Sequence, residues 1–147
     1  DERFFTEWQQ TMQDLNLDYT LFFQQLEKLT SEIKTDDFKD SFYRNLTEIE
    51  FKKLSDFIEK YRVRKLKNKI SETESLELMS KTNPKFILRN YLLFEAIQDA
   101  ENGNYEMFFK LKNALENPYE NLFPEFNKKR PSKYDNQTGS SQLSCSS

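Results

Sequence analysis

Apolar side chains recur at helical spacing along most of the chain. In residues 4–15 they return every three or four positions, and the same spacing continues through residues 19–33. Asp18 precedes the second run, and its side chain is of a type that caps helix N-termini. Three further runs, which predict three more helices, occupy residues 38–46, 51–61 and 105–115. The pattern favours an all-α protein.

Two short motifs mark further helix starts. Thr47 with Glu50, and Ser71 with Glu74, match the capping box, in which a hydroxyl and a carboxylate three residues apart satisfy free backbone N–H groups. They predict helices that begin after Thr47 and after Ser71. The short helix at 38–46 has three candidate N-caps, namely Thr35, Asp36 and Asp37.

Residues 85–100 are the most apolar stretch, and Pro84 suits the first position of a helix. Apolar residues lie nearly all round this predicted helix, which indicates a central helix that is buried on most sides. Gly103 is a suitable C-terminal stop, and Asn104 can cap the helix that follows. The residues of that last helix predicted to face inward are Tyr105, Phe108, Phe109, Leu111 and Leu115.

The periodicity is lost after Pro118. Residues from about 128 onward are polar and small, so they are expected to be extended or disordered unless something holds them down. The fold expected is a compact all-α bundle of about six helices in residues 1–117, followed by an irregular tail at 118–147 that ends in Cys-Ser-Ser. Only two Gly and four Pro occur, which agrees with a protein that needs few turns.

Charge and composition narrow the function classes. The net charge is −3, with 22 basic and 25 acidic residues, so we expect neither nucleic acid nor a membrane as a partner. Residues 52–69 hold eight basic side chains, which form either a phosphate-binding surface or, as we favour, a solvated helix face. With no His and one Cys, we propose no metal site, no cofactor site and no catalytic residue in this chain.

One segment resembles a known family. Residues 83–94 read NPKFILRNYLLF. A Gly-containing turn, a second amphipathic helix and Asn-Pro-Tyr follow them. The last three residues of the sequence are Cys145 and two serines. This is similar to the C-terminal region of the SelO family (YdiU, or selenoprotein O in animals). The structural motif of the resemblance comprises Asn83, Pro84, Arg89, Asn90 and Tyr91. Tyr134 departs from the family, which tends to have Trp near that position.

The resemblance implies a longer parent with a protein-kinase-like (pseudokinase) fold. That parent would bind ATP and Mg or Mn and transfer AMP to Ser, Thr or Tyr hydroxyls. With two glycines this chain cannot form a Gly-rich phosphate loop, so it is expected to be a non-catalytic C-terminal part that supports the catalytic lobe. The expected partner is the remainder of the parent, with self-association of the fragment as a second possibility. The expected location is the cytoplasm of a bacterium, or the mitochondrion of a eukaryote.

Two further interpretations stay open. Cys145 is either an ordinary thiol or, as the resemblance implies, a redox handle that pairs with a cysteine elsewhere in the parent. Arg89 and Asn90 lie among apolar residues, so a buried arginine bonded to carboxylates or helix carbonyls is favoured over a ligand site. The alternative to the family interpretation is a freestanding helical protein-interaction module.

Overall fold

The computed structural model describes residues 2–28 and 34–137, and the chain divides into two compact units, Asp1–Asn83 and Pro84–Ser147. Within the described ranges there is no β-strand, only a single bridge between Leu17 and Phe42, so the all-α prediction is confirmed. The α-helices are α1 (Glu2–Leu15), α2 (Tyr19–Glu27), α3 (Glu48–Lys65), α4 (Glu72–Thr82), α5 (Asn90–Glu101) and α6 (Glu106–Glu116). Short 3₁₀ helices occupy Thr35–Ser41, Pro124–Phe126 and Ser132–Tyr134.

Three helices begin at the predicted caps. The Asp18 carboxylate accepts the Leu21 N–H at 3.1 Å at the start of α2. At the start of α3 the Thr47 hydroxyl accepts the Glu50 N–H at 3.3 Å, and the Glu50 carboxylate accepts the Thr47 N–H at 2.9 Å. Ser71 begins α4 with the same reciprocal pair. Hydrogen bonds from the Arg44 guanidinium, and then from Thr47, lower the pKa of Glu50 to about 2.

The core of the first unit lies among α1, α2, α3 and the 3₁₀ helix Thr35–Ser41. Phe22 and Phe38 are both 0% exposed, and their ring centroids are 5.2 Å apart. The other buried apolar residues of this core are Met12, Leu15, Leu17, Leu26, Leu54, Phe57 and Ile58. The short helix predicted at 38–46 is instead the 3₁₀ helix Thr35–Ser41, and its N-cap is Lys34, not Thr35, Asp36 or Asp37. Asp37 lies at the third helical position, where its carboxylate accepts the Lys34 N–H at 2.7 Å. Residues 29–33 of the second predicted run lie outside the described residues.

The prediction of a helix over 85–100 that is buried on most sides is wrong in two respects. Residues 84–89 are not helical and α5 begins at Asn90, while the N–H groups of Lys85 and Phe86 both donate to the Pro118 carbonyl, at 2.7 and 3.0 Å. Pro84 is therefore not at a first helical position. Helix α5 is also buried on one side only, because Leu93 and Ile97 are 41% and 50% exposed.

Helix α6 packs with a different face from the one predicted. The α5 helix stops as expected, with Gly103 at a φ of 81°, and the Asn104 side chain accepts the Glu106 N–H at 3.0 Å. The buried positions of α6 are Leu111 and Ala114, with Met107 packed beside them, a spacing of four and three residues. Of the five residues predicted to face inward, Leu111 is buried. The other four, Tyr105, Phe108, Phe109 and Leu115, are exposed and correct the prediction.

Part of the segment after Pro118 is held in place. Phe126 and Tyr134 are 8% and 5% exposed, and they complete the second unit's core with Phe86, Tyr91, Leu92, Ala96, Leu111 and Ala114. We expected this tail to be extended or disordered unless something held it down. Up to residue 137 it is held, because the buried aromatic side chains Phe126 and Tyr134 fix it to the core. Residues 138–147 lie outside the described part of the chain.

Candidate functional site

The 83–91 motif begins at the end of α4. The Asn83 N–H donates to the Met79 carbonyl at 2.8 Å, which makes Asn83 the C-cap of that helix. Its side-chain nitrogen lies 3.5 Å from the Phe23 carbonyl and from a Glu27 carboxylate oxygen. Asn83 therefore has a structural task within the first unit, namely closing α4 beside α2.

The rest of the motif starts the second unit. Arg89 is half-buried and is the N-cap of α5, where its carbonyl accepts the Leu92 N–H at 3.0 Å. It is thus at a helix start, and not buried within a helix as we expected. Asn90, also half-buried, is the first residue of α5, and Tyr91 is 5% exposed. These residues begin a helix and fill a core.

Tyr134 anchors the C-terminal segment on α5. Its ring stacks on Tyr91 with centroids 5.4 Å apart and an interplanar angle of 27°, and its edge meets Phe94 at 6.4 Å. The Tyr134 hydroxyl donates to the Glu95 carboxylate, and the Lys133 ammonium lies 3.5 Å from the same carboxylate. The contact thus combines aromatic packing with a hydrogen-bonded charge, and we call Tyr91, Glu95 and Tyr134 the tail anchor.

Several basic side chains of residues 52–69 form ion pairs with carboxylates. Lys52 pairs with Asp56 at 2.8 Å and Arg62 with Glu59 at 3.4 Å. The Lys53 and Lys60 side chains pair across to α1, where their partners are Asp14 and Glu7. At least four of the eight basic side chains thus have carboxylate partners within the described residues.

An open groove of about 490 Å³ lies beside these pairs. It is lined by Arg3, Thr6, Glu7, Gln10, Thr11 and Lys53. The lining mixes both signs of charge with neutral polar groups.

Comparison with known sequences identifies the family. The family model described as "Protein adenylyltransferase SelO" matches residues 1–116. The chain belongs to the SelO family. It is similar to the protein nucleotidyltransferase YdiU of Cytophaga hutchinsonii, with 33% identity over 95% of this chain and 28% of the relative. It is also similar to the YdiU proteins of Aromatoleum aromaticum (32% identity, 89% of this chain, 26% of the relative) and Tolumonas auensis (31%, 92% and 27%).

The chain therefore spans about a quarter of the length of the curated relatives that it matches. In its described residues no group of three or more Asp, Glu, Cys or His side chains is arranged to hold a metal ion. Nor does this part of the chain hold a helix that is long and apolar enough to cross a membrane.

The sequence contains two Asp-Phe pairs, Asp37-Phe38 and Asp56-Phe57, and neither is followed by the Gly of the kinase Asp-Phe-Gly motif. Phe38 and Phe57 are 0% and 2% exposed and belong to the core of the first unit. The Asp37 carboxylate accepts the Lys34 N–H at the start of the 3₁₀ helix Thr35–Ser41, and Asp56 pairs with Lys52. Cys145, the redox candidate, lies outside the described residues.

Sequence reasoning missed two features of the second unit. One is the tail anchor, which carried no local signal because Tyr134 is 43 residues from Tyr91. The other is the exposed side of α6. Here a signal existed, since Met107, Leu111 and Ala114 have the spacing of a narrow apolar face. We instead predicted that the side with the larger aromatic rings, Tyr105, Phe108 and Phe109, would be buried.

Proposed function

We propose that this chain is the non-catalytic, C-terminal helical part of a SelO-family protein adenylyltransferase, and that it supports the catalytic lobe. The observation that carries the proposal is the uncovered apolar surface of α5 and α6, in a chain that spans about a quarter of its relatives' length. Exposed apolar faces of this kind are typical of an interaction site.

The chemistry of AMP transfer would lie elsewhere in the parent. Such transfer needs groups that hold the phosphates of ATP and a divalent cation such as Mg²⁺ or Mn²⁺. The two glycines here are Gly103, at a helix end, and Gly139, so no Gly-rich loop is formed by this sequence. Residues 2–28 and 34–137 also hold no group of carboxylates or thiols arranged for a divalent cation, which supports this proposal.

A second candidate function is a freestanding helical protein-interaction module. The same exposed side chains on α5 and α6 favour it, because they would bind a separate protein equally well. The two functions differ in whether the natural polypeptide carries a catalytic lobe.

The size of the natural protein tests the proposal. We expect an antibody raised against this chain to detect, in the source cells, a polypeptide three to four times longer than 147 residues, as the 28% coverage of a relative implies. Detection of a product of about this chain's 17.8 kDa as the primary translation product would instead support the freestanding module.

Alkylation of the same non-reduced sample, followed by mass spectrometry, tests the role proposed for Cys145. A redox handle predicts that Cys145 is protected from alkylation until the sample is reduced. Full alkylation of Cys145 under oxidising conditions would remove that role and leave the proposal for the helices intact.

A further inference from the structure

The second unit exposes more large apolar side chains than it buries. Within residues 84–137 eight apolar side chains, two of them alanines, are buried, whereas ten large ones are exposed. The exposed set comprises Ile87, Leu88, Leu93, Ile97, Tyr105, Phe108, Phe109, Leu115, Tyr119 and Leu122. A unit with so small a core and so large an apolar surface is expected to be covered by another surface in its working state.

The most concentrated part of this surface is on α6. Tyr105, Phe108, Phe109 and Leu115 are 55%, 49%, 63% and 46% exposed, and we call these four residues the α6 ridge. Tyr105, the N-cap of α6, lies three and four positions before Phe108 and Phe109, and Leu115 lies seven positions after Phe108, so the four side chains share one face of the helix. The Phe108 and Phe109 rings meet edge to face with centroids 5.6 Å apart. Aromatic side chains are enriched in the cores of protein interfaces, and the ridge therefore has the composition of such a core.

One cation lies within the ridge. Lys112 is one turn after Phe108 and Phe109, and its ammonium group is 3.8 Å from the Glu116 carboxylate. Both of these side chains are more than 60% exposed. A surface that covers the ridge must therefore be mainly apolar, and it must either give the Lys112–Glu116 pair polar partners or leave that pair at the rim.

We propose that the α6 ridge is the docking face for the rest of the parent polypeptide, through an apolar surface with an acceptor group opposite Lys112. This inference rests on the proposed function and assigns the contact to particular residues. The relatives extend well beyond this chain, which spans 26–28% of their length, so a large partner surface on the same polypeptide is to be expected. An intramolecular partner also avoids the loss of translational freedom that a separate partner would impose.

A second copy of the chain is a poorer occupant. A twofold pairing centred on the ridge would bring together two Lys112–Glu116 ion pairs, since a twofold interface repeats each contact with its own copy. Burying both ion pairs carries a desolvation cost that opposes association. Pairing of two ridges is therefore an outcome that the test must separate from the proposal.

Hydroxyl-radical footprinting with mass spectrometry tests the ridge directly. We expect oxidation of Phe108 and Phe109 to fall roughly tenfold between the 147-residue chain at low concentration and the parent protein, because an interface core excludes water. Tyr91, which is 5% exposed, is the internal control and should react slowly in both. Equal reactivity of the two rings in both proteins would overturn the proposal. Protection that appears in the 147-residue chain as its concentration rises would overturn it in favour of a second copy.

A substitution pair gives a second measurement. Phe108→Ser with Phe109→Ser should shift the melting temperature of the 147-residue chain by no more than about 2 °C, but should lower that of the parent protein by about 5 °C or more. Ile49→Ser is the matched control, since Ile49 is 83% exposed on α3, and it should have little effect in either protein.

The two proposals fail in different ways. If the source cells contain no longer polypeptide, the proposed function fails. If the longer polypeptide exists but its ridge is fully reactive, or if the ridge substitutions leave its melting temperature unchanged, only the ridge assignment fails.

Discussion

Replacing Phe22 with alanine is expected to lower the free energy of unfolding of the Asp1–Asn83 unit by about 3–5 kcal/mol, the usual cost of removing a buried phenylalanine. The Phe22 ring is 0% exposed and contacts the rings of Phe23 and Phe38 at 6.2 and 5.2 Å. Its removal would leave a cavity where α2 meets the 3₁₀ helix Thr35–Ser41. Urea unfolding followed by far-ultraviolet circular dichroism measures the loss.

Phe5→Ala is the matched control for this experiment. The Phe5 ring is 55% exposed on α1, so its removal should cost no more than about 1 kcal/mol. If the two substitutions had equal effects, Phe22 would not be at the centre of the core that we describe.

Replacing Tyr134 with alanine is expected to release the segment that carries it from α5. The substitution removes the stack on Tyr91, the edge contact with Phe94 and the hydrogen bond to Glu95, at a cost of about 3–5 kcal/mol. Because about 1.4 kcal/mol corresponds to a factor of ten, protection of the Phe126 and Tyr134 amides against hydrogen exchange should fall by about two orders of magnitude or more. Exchange measured by mass spectrometry on peptides covering 123–134 reports this change.

Two variants separate the parts of the tail anchor. Tyr134→Phe keeps the stack and loses the hydrogen bond to Glu95, so a cost of about 1 kcal/mol is expected. Tyr119→Ala removes the same kind of side chain where it is 53% exposed, and should leave exchange in 123–134 unchanged. An alanine at position 134 that left exchange unaltered would contradict the packing of this segment.

Helix starts could be predicted because their determinants are local. The Asp18 cap and the Thr47–Glu50 and Ser71–Glu74 pairs each join residues three positions apart, and each forms the hydrogen bonds that the sequence indicates. Such bonds satisfy free N–H groups at a helix end whatever the rest of the chain does. The same reasoning applies to Gly103, whose positive φ ends α5.

The start of α5 could not be predicted, because it depends on a distant residue. The Pro118 carbonyl accepts the N–H groups of Lys85 and Phe86, more than thirty residues earlier in the chain. Those hydrogen bonds hold residues 85 and 86 against the segment at Pro118, a contact that no local pattern in the sequence indicates. The buried side of α6 did have a local signal in the spacing of Met107, Leu111 and Ala114, but the choice between the two apolar faces of the helix depends on its packing against α5.

The exposed side of α5 changes how this chain would support a catalytic lobe. A helix buried on most sides would have supported the chain from within. The structure has instead a helix buried on one side, with Leu93 and Ile97 exposed. Any support of a catalytic lobe would therefore act through the outer faces of α5 and α6.

AMP transfer, followed with ATP labelled on its α-phosphate, tests the central proposal most directly. We compare the 147-residue chain with the parent protein in the presence of Mg²⁺ or Mn²⁺. We expect label to appear on protein hydroxyls, with release of pyrophosphate, only when the parent protein is present. Label transferred by the 147-residue chain alone, at a rate comparable to that of the parent, would contradict it.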